Sequence, residues 1–154
     1  MTSAKQAFIS YSRADAEYVA RLRVHLKPLE KKYKFVVWDD ARLQPGDRWK
    51  NEIKENLAKA DVIILLISAD FLASDFVMEF EYPDALRMAT ERGAKVVAVI
   101  AGPCLFDEFE VADFQAVNTP HETLQDLEEN GAAQERVFME CARVVSRYLR
   151  DPLP

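Results

Sequence analysis

Residues Asp61–Ser68 read DVIILLIS, a run of six apolar residues between two polar ones. Successive side chains of a strand point to opposite faces, so both faces of this segment are apolar. Such a strand is typical of the centre of a parallel sheet that helices cover on both sides. Lys95–Ala101 (KVVAVIA) has the same character. These two segments predict the centre of an α/β sheet.

Strand-like and helix-like segments alternate on either side of this centre. The predicted strands are Lys5–Tyr11, Phe35–Trp38, Asp61–Ser68, Lys95–Ala101 and a weaker one at Phe114–Val117. Helical spacing of apolar residues runs from Tyr18 through Lys32, from Trp49 to Ala60, from Ala69 to Arg92 with an interruption at Pro83, and from Val137 to about Arg150. Gly93 is a predicted helix stop. This alternation predicts a flavodoxin-like, doubly wound parallel sheet of five strands in the order 2-1-3-4-5, with helices on both faces.

Length and composition fit one globular unit. A chain of 154 residues with 49% hydrophobic and 30% charged residues predicts a single domain at 1–150, with 151–154 as a tail or truncated linker. The formal charge of −6 argues against nucleic acid or an anionic membrane as a partner. The short apolar runs and the polar N-terminal segment favour a cytoplasmic protein. Cys104 and Cys141 are expected to be reduced, packed thiols.

Topology alone predicts where a ligand would bind. In doubly wound sheets the ligand lies beyond the carboxyl ends of the strands, where the strand order reverses. Here that crevice falls between the first and third strands. Residues 10–13 would form one lip and residues 68–74 the other, and the loop Asp39–Asp47 with its Pro-Gly pair would lie on the same side.

The common enzyme signatures of this fold class are missing from the sequence. No Gly-rich phosphate loop follows the first strand, and no Gly-x-Ser-x-Gly elbow is present. His25 and His121 lack a nucleophile at a suitable place, and His25 fits a packing or surface role on the first helix. Because no His, Cys or carboxylate cluster has metal-ligand spacing, we expect neither a metal nor a cofactor.

Four segments, in order, resemble Toll/interleukin receptor (TIR) domains of the prokaryotic NAD-cleaving type. They are Phe8–Asp15 (FISYSRAD), Trp38–Asp40 followed by Leu43–Gly46 and Trp49, Ile67–Phe76 (ISADFLASDF) followed by Glu81, and Val96–Ile100 followed by Pro103-Cys104. The resemblance covers residues 5–104 clearly and 105–150 loosely.

The resemblance implies a function, with alternatives. The family contains enzymes that cleave NAD+ between nicotinamide and ribose, and scaffolds that signal by self-assembly. We expect an NAD+ nucleosidase, either hydrolase or cyclase, that acts in prokaryotic antiviral defence after self-assembly. The alternatives are a non-catalytic TIR scaffold and a flavodoxin-like receiver or nucleotide binder. Ser68 at the end of the third strand argues against a receiver, which needs an aspartate there.

The resemblance also implies site residues. The family often has Trp-x-x-x-Glu where this chain has Phe76 followed by Glu79 and Glu81. The catalytic carboxylate is then Glu81 or Glu79, and the alternative is that both are solvated carboxylates on a helix surface. Two residues two positions apart point about 200° apart on a helix. Glu81 shares its stripe with Val77, Ala85 and Met88, which favours Glu81.

The other implied residues fall into two groups. The expected substrate-binding residues are Phe8, Ser10, Ser12, Arg13, Trp38, Asp39, Phe71 and Phe76. The expected assembly loop carries Asp40, Arg42, Leu43, Pro45 and Gly46. Plain roles stay open: surface exposure for Arg13, core packing for Trp38 and the two phenylalanines, and helix capping for Asp15. The expected partners are NAD+ as substrate, further TIR domains, and a fused or separate sensor, but no nucleic acid and no membrane.

Overall fold

The computed structural model describes residues 5–39 and 49–150. Its strands are β1 (Gln6–Ser10), β2 (Val36–Trp38), β3 (Val62–Ile67), β4 (Lys95–Ile100) and β5 (Gln115–Ala116). Its α-helices are α1 (Ala16–Tyr33), α2 (Trp49–Lys59), α3 (Ala69–Ala73), α4 (Tyr82–Arg92) and α5 (Gly131–Arg150). The predicted assembly-loop residues 40–46 lie outside the described residues.

The strands form a parallel sheet in which β1 pairs with β2 and β3, and β3 pairs with β4. The four longer strands thus have the order 2-1-3-4, and the α/β prediction is confirmed. The fifth predicted strand, 114–117, is reduced to the two residues of β5, which pair with Val97 and Ala98 of β4. Short 3₁₀ turns at Phe106–Glu108 and Glu110–Asp113 occupy the connection before it. The body of the sheet therefore consists of four strands.

Alternation along the strands separates two apolar cores. One face carries Ala7, Ile64 and Val97 and packs against α1 and α5. The opposite face carries Phe8, Ile63 and Ala98 and packs against α2, α3 and α4. Both faces of β3 and β4 are buried, as their sequences predict. The second face is the one that concerns the candidate site.

The helical region after β3 differs from the prediction in one respect. The predicted interruption at Pro83 is wrong, because the break lies at Ser74, whose backbone is extended. A π-helical turn, Val77–Glu81, then leads directly into α4, and Pro83 lies in the first turn of α4. Proline has no backbone N–H to donate and its φ is fixed near the helical value, so it is tolerated at this position, where α4 has just begun. At the other end, the predicted stop at Gly93 is confirmed by its left-handed φ of 73°.

Both cysteines are free thiols, Cys141 buried and Cys104 half-buried. Burial raises the pKa of Cys141 to about 12, which keeps this thiol protonated near neutral pH. Within the two described ranges, no helix is long and apolar enough to span a bilayer.

Candidate active site

The carboxyl end of β1 contributes a buried hydroxyl. Ser10 is 1% exposed, and its Oγ has no hydrogen-bond partner among the residues that the structure describes. Ser10 follows Phe8 by two positions, so strand alternation directs both toward the face covered by α2 and α4. Buried hydroxyls normally have partners, which makes Ser10 a candidate contact for a bound molecule.

The chain turns sharply after β1. Ser12 Oγ accepts a hydrogen bond of 3.3 Å from the Ala14 backbone N–H and starts a 3₁₀ turn, Arg13–Asp15, that leads into α1. Arg13 is exposed at this lip, and its guanidinium forms no ion pair with any residue in 5–39 or 49–150. The lip thus presents a guanidinium to solvent that has no ion-pair partner in the described part of the chain.

An aromatic pair lines the neighbouring edge of the sheet. The ring of Trp38 on β2 stacks on Phe8 with centroids 5.1 Å apart, because the two residues are register partners. Both rings are buried in the core on the α2 and α4 side. The structure therefore gives Trp38 a packing role beside Ser10.

Asp39, the next residue, contacts the opposite layer. Its carboxylate is 2% exposed and forms an ion pair with Arg23 of α1. Arg23 also donates to the Val37 carbonyl. Asp39 is thus held toward α1, while its neighbour Trp38 faces α2 and α4.

The end of β3 forms the other lip through Ser68. Its Oγ donates a 2.5 Å hydrogen bond to Asp15 and accepts one of 3.0 Å from the Phe71 backbone N–H. Asp15 lies at the start of α1, but its side chain makes no cap hydrogen bond. The predicted capping role of Asp15 is therefore wrong, because its carboxylate accepts a hydrogen bond from Ser68 instead of from a backbone N–H of α1. Sequence reasoning missed this pair, which joins residues 53 positions apart and leaves no local signal.

Asp15 is 8% exposed. Burial raises the pKa of its carboxyl and nearby Asp70 adds to the rise, while the hydrogen bond from Ser68 opposes it. A carboxylate in these surroundings destabilises the folded state relative to a neutral side chain of the same size.

The two candidate glutamates have different environments. Glu81 is 3% exposed, whereas Glu79 is exposed to solvent. Both lie on the π-helical turn, in which the Tyr82 N–H bonds to the Val77 carbonyl five residues back. Such turns occur rarely and often at functional sites. Val77 and Ala85 on the stripe of Glu81 are also buried, as the helical spacing predicts.

The two phenylalanines of the second lip lie at different depths. Phe71 has 0% exposure and meets Tyr82 edge-on, with centroids 6.4 Å apart. Phe76 is half-buried against the same apolar cluster. Since Phe71 has no exposed surface, its place is that of a core residue, and Phe76 is the more accessible ring.

The fold brings most of the predicted residues to one layer. Phe8, Trp38, Phe71 and Phe76 belong to the apolar cluster between the sheet and α2, α3 and α4, which also contains Val77 and Tyr82 around Glu81. Ser12 and Arg13 lie at the lip, and Asp39 faces α1. Within the described part of the chain, no group of three or more His, Cys, Asp or Glu side chains could hold a metal ion.

This arrangement places a buried carboxylate beside an apolar layer that contains several aromatic rings. In a low-dielectric environment, a fixed negative charge stabilises a positive charge that develops close to it far more than it would in water. A substrate that becomes cationic as it reacts would match such a site.

Comparison with known proteins identifies the family to which the chain is similar. A family model described as "TIR domain" matches residues 7–134. The chain is 28% identical over 148 residues to an uncharacterized protein, y4lF, of Sinorhizobium fredii (strain NBRC 101917 / NGR234). The alignment covers 94% of this chain and 46% of that protein, so the chain spans about half the length of this relative.

A solved structure with the same fold is the TIR domain of the Toll-related receptor TRR-2 from Hydra magnipapillata. It superposes with a TM-score of 0.57 at 16% identity, over 94% of this chain and 98% of that one. At this identity the likeness concerns the fold alone.

Proposed function

The chain belongs to the TIR domain family, and from that premise we propose that it cleaves NAD+ between nicotinamide and ribose, with Glu81 as the catalytic carboxylate. The burial of Glu81 on the π-helical turn carries this proposal. A carboxylate whose only role is to keep a helix surface in contact with water would be exposed, as Glu79 is. Burying Glu81 costs free energy, and a charge developing on the substrate gives that cost a function.

The proposed chemistry needs one carboxylate. The nicotinamide of NAD+ is a cationic pyridinium, so the C–N bond breaks with its electron pair going to the ring, which leaves as a neutral molecule. No general acid is needed, unlike in hydrolysis of an ordinary glycoside. Positive charge then develops at the anomeric carbon and ring oxygen of the ribose, where Glu81 would stabilise it.

Two fates of the ribosyl cation complete the reaction. Attack by water, with loss of one proton to solvent, gives ADP-ribose. Attack by a ring nitrogen of the adenine gives a cyclic ADP-ribose. Both fit the same site, and the product distinguishes hydrolase from cyclase.

The remaining residues receive binding roles in this proposal. Ser10 would hydrogen-bond a ribose or phosphate oxygen, and Arg13 at the lip would pair with the diphosphate. Phe76 would pack against a ring of the dinucleotide. Phe8, Trp38 and Phe71 would shape the wall behind them, and Asp39 would fix the end of β2 through Arg23.

Self-assembly is part of the proposed activity. TIR domains interact with one another, and we propose that residues 40–46 mediate contacts that complete the NAD+ pocket. The similarity to a protein of Sinorhizobium fredii supports a prokaryotic setting, where the activity would serve antiviral defence. A sensor, fused or separate, would then trigger assembly.

The test is release of free nicotinamide from NAD+ by purified protein, measured with and without a crowding agent. Wild type should release nicotinamide, and Glu81→Gln should lose about 10²–10³ in turnover while remaining folded. Glu79→Gln is the matched control and should stay within about twofold of wild type, since Glu79 is exposed.

Three outcomes would contradict the proposal in different ways. Loss of activity in Glu79→Gln alone would move the catalytic residue by two positions. Full activity in both variants would exclude the glutamate mechanism. No nicotinamide release from wild type under assembling conditions would support a non-catalytic TIR scaffold.

A further inference from the structure

The hydrogen bond between Ser68 and Asp15 joins the two lips of the crevice. Asp15 ends the 3₁₀ turn that carries Arg13, and Ser68 follows β3 directly. Because β1 and β3 are neighbours, this contact bridges the point at which the strand order reverses. We infer that Asp15 and Ser68 are a positioning pair that sets the place of Glu81 for the proposed NAD+ cleavage, and the inference rests on that proposed function.

The contacts continue from Ser68 toward Glu81. Ser68 Oγ accepts the Phe71 N–H, which fixes the first turn of α3. The Phe71 ring meets Tyr82 at a 90° interplanar angle. Tyr82 follows Glu81 in the chain, and its phenol oxygen accepts a 3.0 Å hydrogen bond from the Val111 N–H. Asp15 is thus linked to the backbone beside Glu81 through three consecutive contacts.

The charge of Asp15 is costly in its surroundings. Among residues 5–39 and 49–150, no cation forms an ion pair with Asp15. The carboxylate of Asp70 on α3 disfavours the ionisation of Asp15, and Tyr18 of α1 also interacts electrostatically with Asp15. An asparagine of the same size would avoid this cost. Stability of the fold therefore gives no reason for a carboxylate at position 15.

The first experiment compares Asp15→Asn, Ser68→Ala and the double variant with wild type in NAD+ cleavage and thermal unfolding. We expect kcat to fall about 10- to 100-fold with KM within about twofold, because a misplaced catalytic group affects turnover more than binding. Asp15→Asn should melt at or above the wild-type temperature. The kcat of the double variant should be no lower than that of the less active single variant, because both changes remove the same hydrogen bond between Asp15 and Ser68. Ser68→Thr, which keeps the hydroxyl, should restore most of kcat.

Glu91→Gln is the matched control, because Glu91 is an exposed carboxylate near the end of α4 and lies outside both lips of the crevice. It should leave kcat within about twofold of wild type. A kcat loss in Asp15→Asn that only parallels a lower melting temperature would overturn the inference. So would additive losses in the double variant.

Amide hydrogen exchange separates failure of this inference from failure of the proposed function. Asp15→Asn and Ser68→Ala should speed exchange at Phe71 and along the π-helical turn Val77–Glu81, and Glu91→Gln should not. If wild type does not cleave NAD+, the proposed function fails, and the exchange result alone decides whether the pair fixes this turn. If Asp15→Asn and Ser68→Ala both exchange at the wild-type rate, the pair does not fix the π-helical turn.

Discussion

The ring of Phe8 on β1 stacks on the ring of Trp38 on β2, with centroids 5.1 Å apart and planes inclined by 22°. Parallel register sets the two residues side by side, so the contact joins the edge strand to the centre of the sheet. It also belongs to the apolar cluster that contains Val77 and Tyr82, which lie on either side of the buried Glu81 in the chain.

This stack gives a stability prediction. Trp38→Ala should lower the free energy of unfolding by about 3–5 kcal/mol, because it leaves a cavity in a buried layer. Trp38→Phe should cost less, because a smaller ring still meets Phe8. A double-mutant cycle with Phe8→Leu, followed by urea unfolding, should give a coupling of about 0.5–1.5 kcal/mol beyond area burial. A coupling near zero would mean that the rings contribute only buried area.

Tyr82 gives a second prediction. Its phenol oxygen accepts the buried Val111 N–H, so Tyr82→Phe would leave that donor without a partner. Unfolding measurements should show a loss of about 1–3 kcal/mol. Tyr18→Phe is the matched control: Tyr18 donates a 2.6 Å hydrogen bond to Glu128 in an exposed setting, and water can replace that partner. An equal or larger loss in Tyr18→Phe would contradict the prediction.

The contact between α1 and α5 predicts a dependence of stability on pH. Arg21 and His25 both bind the Glu135 carboxylate, and these hydrogen bonds lower the pKa of Glu135 from 4.5 to about 2. Because the folded-state pKa is depressed, the stabilisation is present above pH 4.5 and is lost as the pH falls toward 2. The melting temperature of wild type should exceed that of Glu135→Gln at pH 7, and the two should converge near pH 2. A constant difference across this range would argue against the ion pair as the cause.

The proposed chemistry predicts no need for a metal ion, because the pyridinium leaving group departs without a Lewis acid. NAD+ cleavage by wild type should stay the same within error after EDTA treatment and desalting. Loss of activity that one divalent cation restores would overturn this expectation.

The proposed role of self-assembly predicts that specific activity rises with protein concentration. Light scattering run beside the nicotinamide assay should show activity increasing with the oligomer fraction. Gly46→Pro, in the predicted assembly loop, should keep the monomer folded and should reduce both the oligomer fraction and the specific activity. Activity that does not depend on concentration, or full activity in Gly46→Pro, would exclude assembly through this loop.

The sequence by itself determined the alternation of strands and helices and the buried centre of the sheet, because periodicity is a local property of the chain. The apolar stripe around Glu81 likewise distinguished it from Glu79, and the two residues do differ in burial. Four segments resembling one family added the identity of the fold, which the family match over residues 7–134 confirms.

Only the tertiary structure decided how the polar residues pair. Ser68 donates a hydrogen bond to Asp15, 53 positions away, and Arg23 donates one to Asp39, 16 positions away. Neither separation corresponds to a local spacing of a helix or strand. The helix break at Ser74 and the π-helical turn before Pro83 also depend on packing, because single-residue propensities marked the proline instead. Side chains that are distant in sequence meet only when the strands have assembled, so their pairing depends on the geometry of the sheet rather than on local sequence.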